Sequence, residues 1–240
     1  MLILFQANFL EPQNNTWDSD ASLIKINGKY YLMGCYITDA KRLYIRELSN
    51  PYTAVTPKAI LSTPTYGEDN INAAPEPLYH GDRVLIVFTS RDCSSPDTKL
   101  GILEFTGTDP LNSAHWTKHP TPVFQRSDAN HVYGPGHNGF FKSPDGSEDW
   151  IVYHANDKTN DGCTFARSAR AQKFTWGSDG LPNFGVPVAR GANVQVPSGE
   201  PLKYNVTFYC NILLRLMYLL IYQDTGSLSG TMSLSKIVLI

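Results

Sequence analysis

Three times between residues 21 and 153, a short apolar run follows a tight-turn signal. Lys29-Tyr30-Tyr31-Leu32-Met33 follows Asn27-Gly28, and Val84-Leu85-Ile86-Val87-Phe88 follows Gly81-Asp82. Asp149-Trp150-Ile151-Val152-Tyr153 follows Ser143-Pro144-Asp145-Gly146. A turn that needs positive φ, flanked by β-branched and aromatic residues, specifies an antiparallel hairpin. Each hairpin is preceded by a small or polar stretch: Trp17-Asp18-Ser19-Asp20-Ala21-Ser22, Asn70-Ile71-Asn72-Ala73-Ala74-Pro75, and Val132-Tyr133-Gly134-Pro135-Gly136-His137-Asn138. With anchors at Asp20, Ala73 and His137, the unit recurs roughly every 50–65 residues, the spacing of propeller blades. A β-sandwich also has regular short strands, but they follow one another more closely. No stretch of residues 21–200 has sustained helical periodicity. The sequence predicts an all-β propeller.

Composition agrees and narrows the partners. Thirteen Tyr, 11 Phe, 18 Gly and 16 Pro favour strands and turns. A net charge of -2 gives no reason to expect nucleic acid or an anionic membrane. Most of the aromatic rings are expected to pack strands, and a few are candidates for stacking on sugars. Cys35, Cys93, Cys163 and Cys210 contain no CxxC pair, which disfavours a zinc site, and their spacing leaves three disulfide pairings open. Met1-Leu2-Ile3-Leu4-Phe5 lacks the basic start and length of a signal peptide and reads as a strand or the ragged start of a truncated chain. Beyond residue 200 the pattern changes to Phe208–Tyr222, apolar but interrupted by Arg215 and short for a membrane span. We read 1–200 as the propeller domain and 201–240 as an atypical, non-native tail. Asn14 and Asn205 open Asn-x-Thr sequons.

The series Gly134-Pro135-Gly136-His137-Asn138-Gly139-Phe140-Phe141, Asp149 to Asn156, and Arg170-Ala171-Gln172-Lys173-Phe174 resembles the late blades of glycoside hydrolase family 43, in its α-L-arabinofuranosidase branch. The resemblance spans roughly residues 16–200. It implies a five-bladed β-propeller, here incomplete at about three to four blades. It further implies inverting hydrolysis of terminal α-L-arabinofuranosyl residues in arabinan or arabinoxylan, secretion, a monomer, and a pentose polysaccharide or oligosaccharide as partner. An inverting glycosidase needs one carboxyl group to protonate the leaving oxygen and another to activate water, about 6.5–9.5 Å apart. A neighbouring carboxylate raises the pKa of the acid.

Carried over residue by residue, Asp20 matches the family's pKa-tuning Asp, with Asp18 as its competitor. The acid position is altered. The family's Ile-Asn-Glu-Gly-Pro reads Ile71-Asn72-Ala73-Ala74-Pro75 here, so Ala73 replaces the acid and Glu76 is the substitute. In an unbroken strand an odd offset turns Glu76 to the opposite face, unless Pro75 disturbs the register. The general base is expected in a blade before Asp20, where Glu11 and Asp18 are the only acids and neither has the expected setting. His137 matches an axial histidine that contacts calcium or its waters, no cofactor otherwise being required. Arg170 matches an arginine beside the catalytic carboxylates, and Trp17 and Tyr133 are the sugar-stacking candidates. Loss of acid and base leaves two alternatives to an active enzyme: an inactive carbohydrate-binding propeller, or a non-functional fragment.

Overall fold

The computed structural model describes residues 17–201, all-β apart from one 3-10 turn at Ser113–His115. The expected N-terminal strand at Met1–Phe5, both sequons, Glu11, Cys210 and the tail beyond 201 lie outside the described residues. No described helix is long and apolar enough to cross a membrane.

Thirteen strands form three antiparallel sheets in chain order. The first blade contains β1 (Trp17–Ile26), β2 (Lys29–Ile37), β3 (Lys41–Asn50), β4 (Thr53–Ala54) and β5 (Ala59–Ser62), the last two both paired to β3. The second runs β6 (Asn72–His80), β7 (Arg83–Ser90), β8 (Lys99–Phe105) and β9 (Trp116–Lys118). The third runs β10 (Tyr133–Lys142), β11 (Asp149–Asn156), β12 (Ser168–Trp176) and β13 (Pro182–Asn183). The turns fall where the sequence places them. Asn27 and Gly28 both take positive φ, 49° and 81°, which joins two strands without splaying them.

The blades stack face to face, and β7 explains its own unbroken apolar run. Ile86 and Phe88 enter a core shared with Ile24, Ile26, Met33 and Ile45 of the first blade. Leu85 and Val87 enter a core shared with Ile151, Tyr153 and Phe174 of the third. A strand buried on both faces has no polar side to alternate with.

Each inner strand (β1, β6, β10) breaks register near its N-terminal end. Ser19 and Ser22 of β1 face Cys35 and Met33, so Asp20 and Ala21 together oppose one residue. In β6, Ala73 and Glu76 face Thr89 and Val87, which makes Ala74 and Pro75 the doubled pair. In β10, Gly136 and Gly139 face His154 and Val152, and the pair is His137 and Asn138. The first residue of every pair is left-handed: Asp20 at φ 57°, Ala74 at 47° and His137 at 48°. These are β-bulges, which re-aim side chains at barrel rims and sites. They correct the expected repeat by one residue, because Ala74, and not Ala73, is the register equivalent of Asp20 and His137.

Candidate active site

The bulges sit together at one end of the inner strands. Asp20 Oδ2 accepts the Ala74 backbone N–H at 3.2 Å, and Ser22 Oγ donates to the Pro75 carbonyl. From the other side, the His137 N–H donates to Thr89 Oγ1 at 2.8 Å, and Thr89 lies opposite Ala73. Asp20 therefore faces the second blade with its carboxylate held by a main-chain donor. Asp18, its competitor, is tied to Lys58 at 2.5 Å.

Glu76 corrects the parity expected from the sequence. The extra residue of the bulge places Ala73 opposite Thr89 and Glu76 opposite Val87, two residues apart on β7, so both belong to the same face. Pro75 occupies a bulge position, where a missing N–H costs no ladder bond. Burial pushes the Glu76 carboxyl up to about 7. It makes no hydrogen bond or ion pair with a described residue, so nothing offsets the desolvation.

The remaining candidates are dispersed. His137 is exposed, with its ring 6.2 Å from that of His154. His154 is pushed down to about 4 by burial and then by the cations around it, which keeps it neutral. Calcium takes six to eight oxygen ligands. Among the described residues the only cluster of three potential ligands is Asp92, Cys93 and Cys163, and its two sulfurs are bonded to each other. No cluster of three carboxylate, histidine or cysteine ligands lies at His137 among the described residues. Buried Asn138, beside it, leaves both side-chain atoms unpartnered among the described residues.

Arg170 joins neither Asp20 nor Glu76. It is buried, donates to Asp157 and to the Val188 carbonyl, and ties the third blade to the segment that follows it. Tyr133 is 9% exposed with its ring 5.8 Å from the Arg126 guanidinium, which leaves little open face for a sugar. The role assigned to Trp17 falls on a side chain outside the described set. The sequence reading passed over Tyr66, which stands fully exposed on the loop leading into β6. Its neighbour Gly67, at φ 84°, was the available signal of a shaped loop.

Comparison with known proteins points one way. The model of glycosyl hydrolases family 43 matches residues 6–182. An extracellular exo-α-(1→5)-L-arabinofuranosidase of Streptomyces avermitilis is 35% identical over 193 residues, 74% of this chain and 39% of that protein. Alpha-L-arabinofuranosidase 43 of Humicola insolens is 29% identical over 203 residues, 78% of this chain and 41% of that protein. The crystal structure of an α-L-arabinofuranosidase from Lactobacillus brevis superposes with TM-score 0.68 at 29% identity, over 74% of this chain and 58% of that one. A thermostable family-43 glycoside hydrolase superposes with TM-score 0.67 at 20% identity, over 80% of this chain and 64% of that one, a likeness of fold alone. The chain spans about two fifths of the length of these curated relatives. The described residues supply three blades of the five-bladed propeller these structures share.

Proposed function

Because the chain belongs to glycosyl hydrolases family 43, we propose that it is part of a secreted inverting glycoside hydrolase that removes terminal α-L-arabinofuranosyl residues from arabinan or arabinoxylan. Relatives named as extracellular arabinofuranosidases support both the substrate and the secretion. The observation that carries the chemistry is the β6 bulge. It brings Glu76 to the face of Ala73, the face that Val87 turns toward the third blade, at the bulge whose Ala74 N–H Asp20 accepts.

In this reading Glu76 is the proton donor. A general acid must hold its proton at working pH, and a carboxyl raised to about 7 by burial does so. Asp20, fixed by the Ala74 N–H, positions the sugar. Asp18 is engaged by Lys58, so we assign the water-activating base outside the described residues.

Hydrolysis of an aryl α-L-arabinofuranoside tests the assignment. Glu76→Gln is expected to lower turnover on the order of 10²–10⁴-fold. If the wild type is inert and Ala73→Glu gives turnover, the acid belongs at position 73 and the Glu76 assignment fails. Ala73 itself favours a second reading, a propeller that binds pentose polymers without cutting them. Binding of arabino-oligosaccharide with no turnover in either form supports that one.

A further inference from the structure

Tyr66 is the most exposed aromatic of the described chain, at 107% relative exposure, yet its loop is firmly held. Glu68 accepts from the Thr65 N–H at 2.6 Å and from Lys118 Nζ at 2.6 Å. The Glu68 carbonyl accepts the N–H groups of Ile71 and Arg91, and the Gly67 carbonyl accepts Arg91 Nε at 2.9 Å. A large ring held in water on a fixed loop gains nothing from the core.

This loop borders a polar pocket lined by Arg91, Asp97, Lys99, Gln125 and Arg126. Lys99 Nζ lies 4.0 Å from where a Cβ on Gly67 would stand, which places the ammonium against the loop that carries Tyr66. Asp97 bridges the two guanidiniums, at 3.6 Å from Arg91 and 2.6 Å from Arg126. Asp69 and Asp128 take a further contact with each arginine, at 3.6 and 3.2 Å. Lys99 makes no ion pair or side-chain hydrogen bond with any described residue. Half-buried and unpaired, it is the cation left over in the pocket. The pocket opens at the end of the second blade that carries the bulge: Arg91 follows Ser90, which pairs with Asn72 at the head of β6.

We propose that Tyr66 and this pocket form an accessory subsite for a uronate, the ring stacking on the sugar face and Lys99, flanked by Arg91 and Arg126, taking its carboxylate. The subsite rests on the carbohydrate reading above and adds a substrate class: pentose polymers whose chains carry acidic sugars. Glucuronate on xylan and galacturonate of pectin share this chemistry. An apolar C–H face packs on an aromatic face, and an ammonium or guanidinium attracts a carboxylate. The site is solvent-open, so its affinity is weak, roughly millimolar.

Calorimetric titration of the full chain with glucuronate-substituted xylotriose, trigalacturonate, neutral xylotriose and arabinotriose tests it. The charged ligands are expected to bind more tightly than xylotriose, and less so at high salt. Lys99→Gln is expected to weaken them roughly fivefold without affecting arabinotriose. Tyr66→Ala should weaken them as well, and Lys99→Arg should keep them. Whichever acidic ligand binds more tightly names the source. Equal affinity for charged and neutral trioses, an unchanged affinity in Lys99→Gln, or an equal loss in Lys99→Arg overturns the proposal. Arabinotriose reports the cleft separately: if it fails to bind while the uronates bind, the arabinofuranosidase reading falls and the subsite stands.

Discussion

The seam between the first and second blades and the seam between the second and third have similar apolar interiors but are closed differently. Phe88 and Ile86 fill one, Val87 and Leu85 the other, from alternate faces of the same strand. The first seam is closed by hydrogen bonds, among them Asp20 to the Ala74 N–H and Ser22 to the Pro75 carbonyl at the bulge end, and the Lys25 N–H to Tyr79 Oη at the hairpin end. The second carries a covalent clasp, Cys93–Cys163, which joins the β7–β8 and β11–β12 loops, beside the Gly134 N–H to Pro96 carbonyl bond. The polar closure places a carboxylate at the rim as a by-product of holding two bulges together. The covalent closure frees that position for His137, whose backbone, and not its ring, makes the cross-blade bond. Structural and chemical duties coincide in the first seam and separate in the second.

The largest difference between the seams should appear on cutting the clasp. It closes a 70-residue loop, so Cys93→Ser with Cys163→Ser is expected to cost about 4 kcal/mol on the chain-entropy account. Urea denaturation of the double variant measures this. A loss below about 1 kcal/mol would mean that the second seam is held by its core alone.

Glu76 gives the next effect. Its folded pKa is raised, so its contribution is most favourable below its ordinary value of 4.5 and is lost as pH rises to about 7. The wild type should therefore lose up to about 3 kcal/mol between those limits through this group. Glu76→Gln should flatten that part of the pH–stability profile, and an unchanged slope would place the carboxyl in water.

A smaller effect separates the two duties of Asp20. Asp20→Ala removes the acceptor for the Ala74 N–H and puts a Cβ residue without a polar side chain at φ 57°, for a loss of about 1–2 kcal/mol. Asp20→Asn keeps the acceptor and tolerates left-handed backbone, so thermal stability should hold while arabinofuranoside hydrolysis falls. Equal melting losses in both variants would show that charge, not the hydrogen bond, closes the first seam.

Ala74→Gly should do least. Relief of strain at φ 47° is worth about 1–2 kcal/mol, but loss of a buried methyl costs about 0.8 and glycine's chain entropy about 0.5–1. The net change is expected to stay within about 0.5 kcal/mol by chemical denaturation. A clear gain would mean that the bulge, with the family's glycine replaced, is under real tension.

What the sequence determined by itself is whatever depends on near neighbours. The Asn27-Gly28 turn, the apolar runs of β2, β7 and β11 and the three-fold recurrence of the hairpin were legible because strand alternation and turn chemistry act over a few residues. The motif around His137 carried the family resemblance. The tertiary structure decided everything that hangs on register and on contacts between blades. One extra residue in β6 reverses the face of Glu76; Pro75 marked where the register could break, but only the strand pairing decided that it does. Cys93 found Cys163 rather than Cys35 because two loops meet across a seam, and Arg170 found Asp157 rather than Asp20 for the same reason. The pocket beside Tyr66 draws its cations from positions 91, 99 and 126. Side chains so far apart in the chain share a field only after the strands have paired.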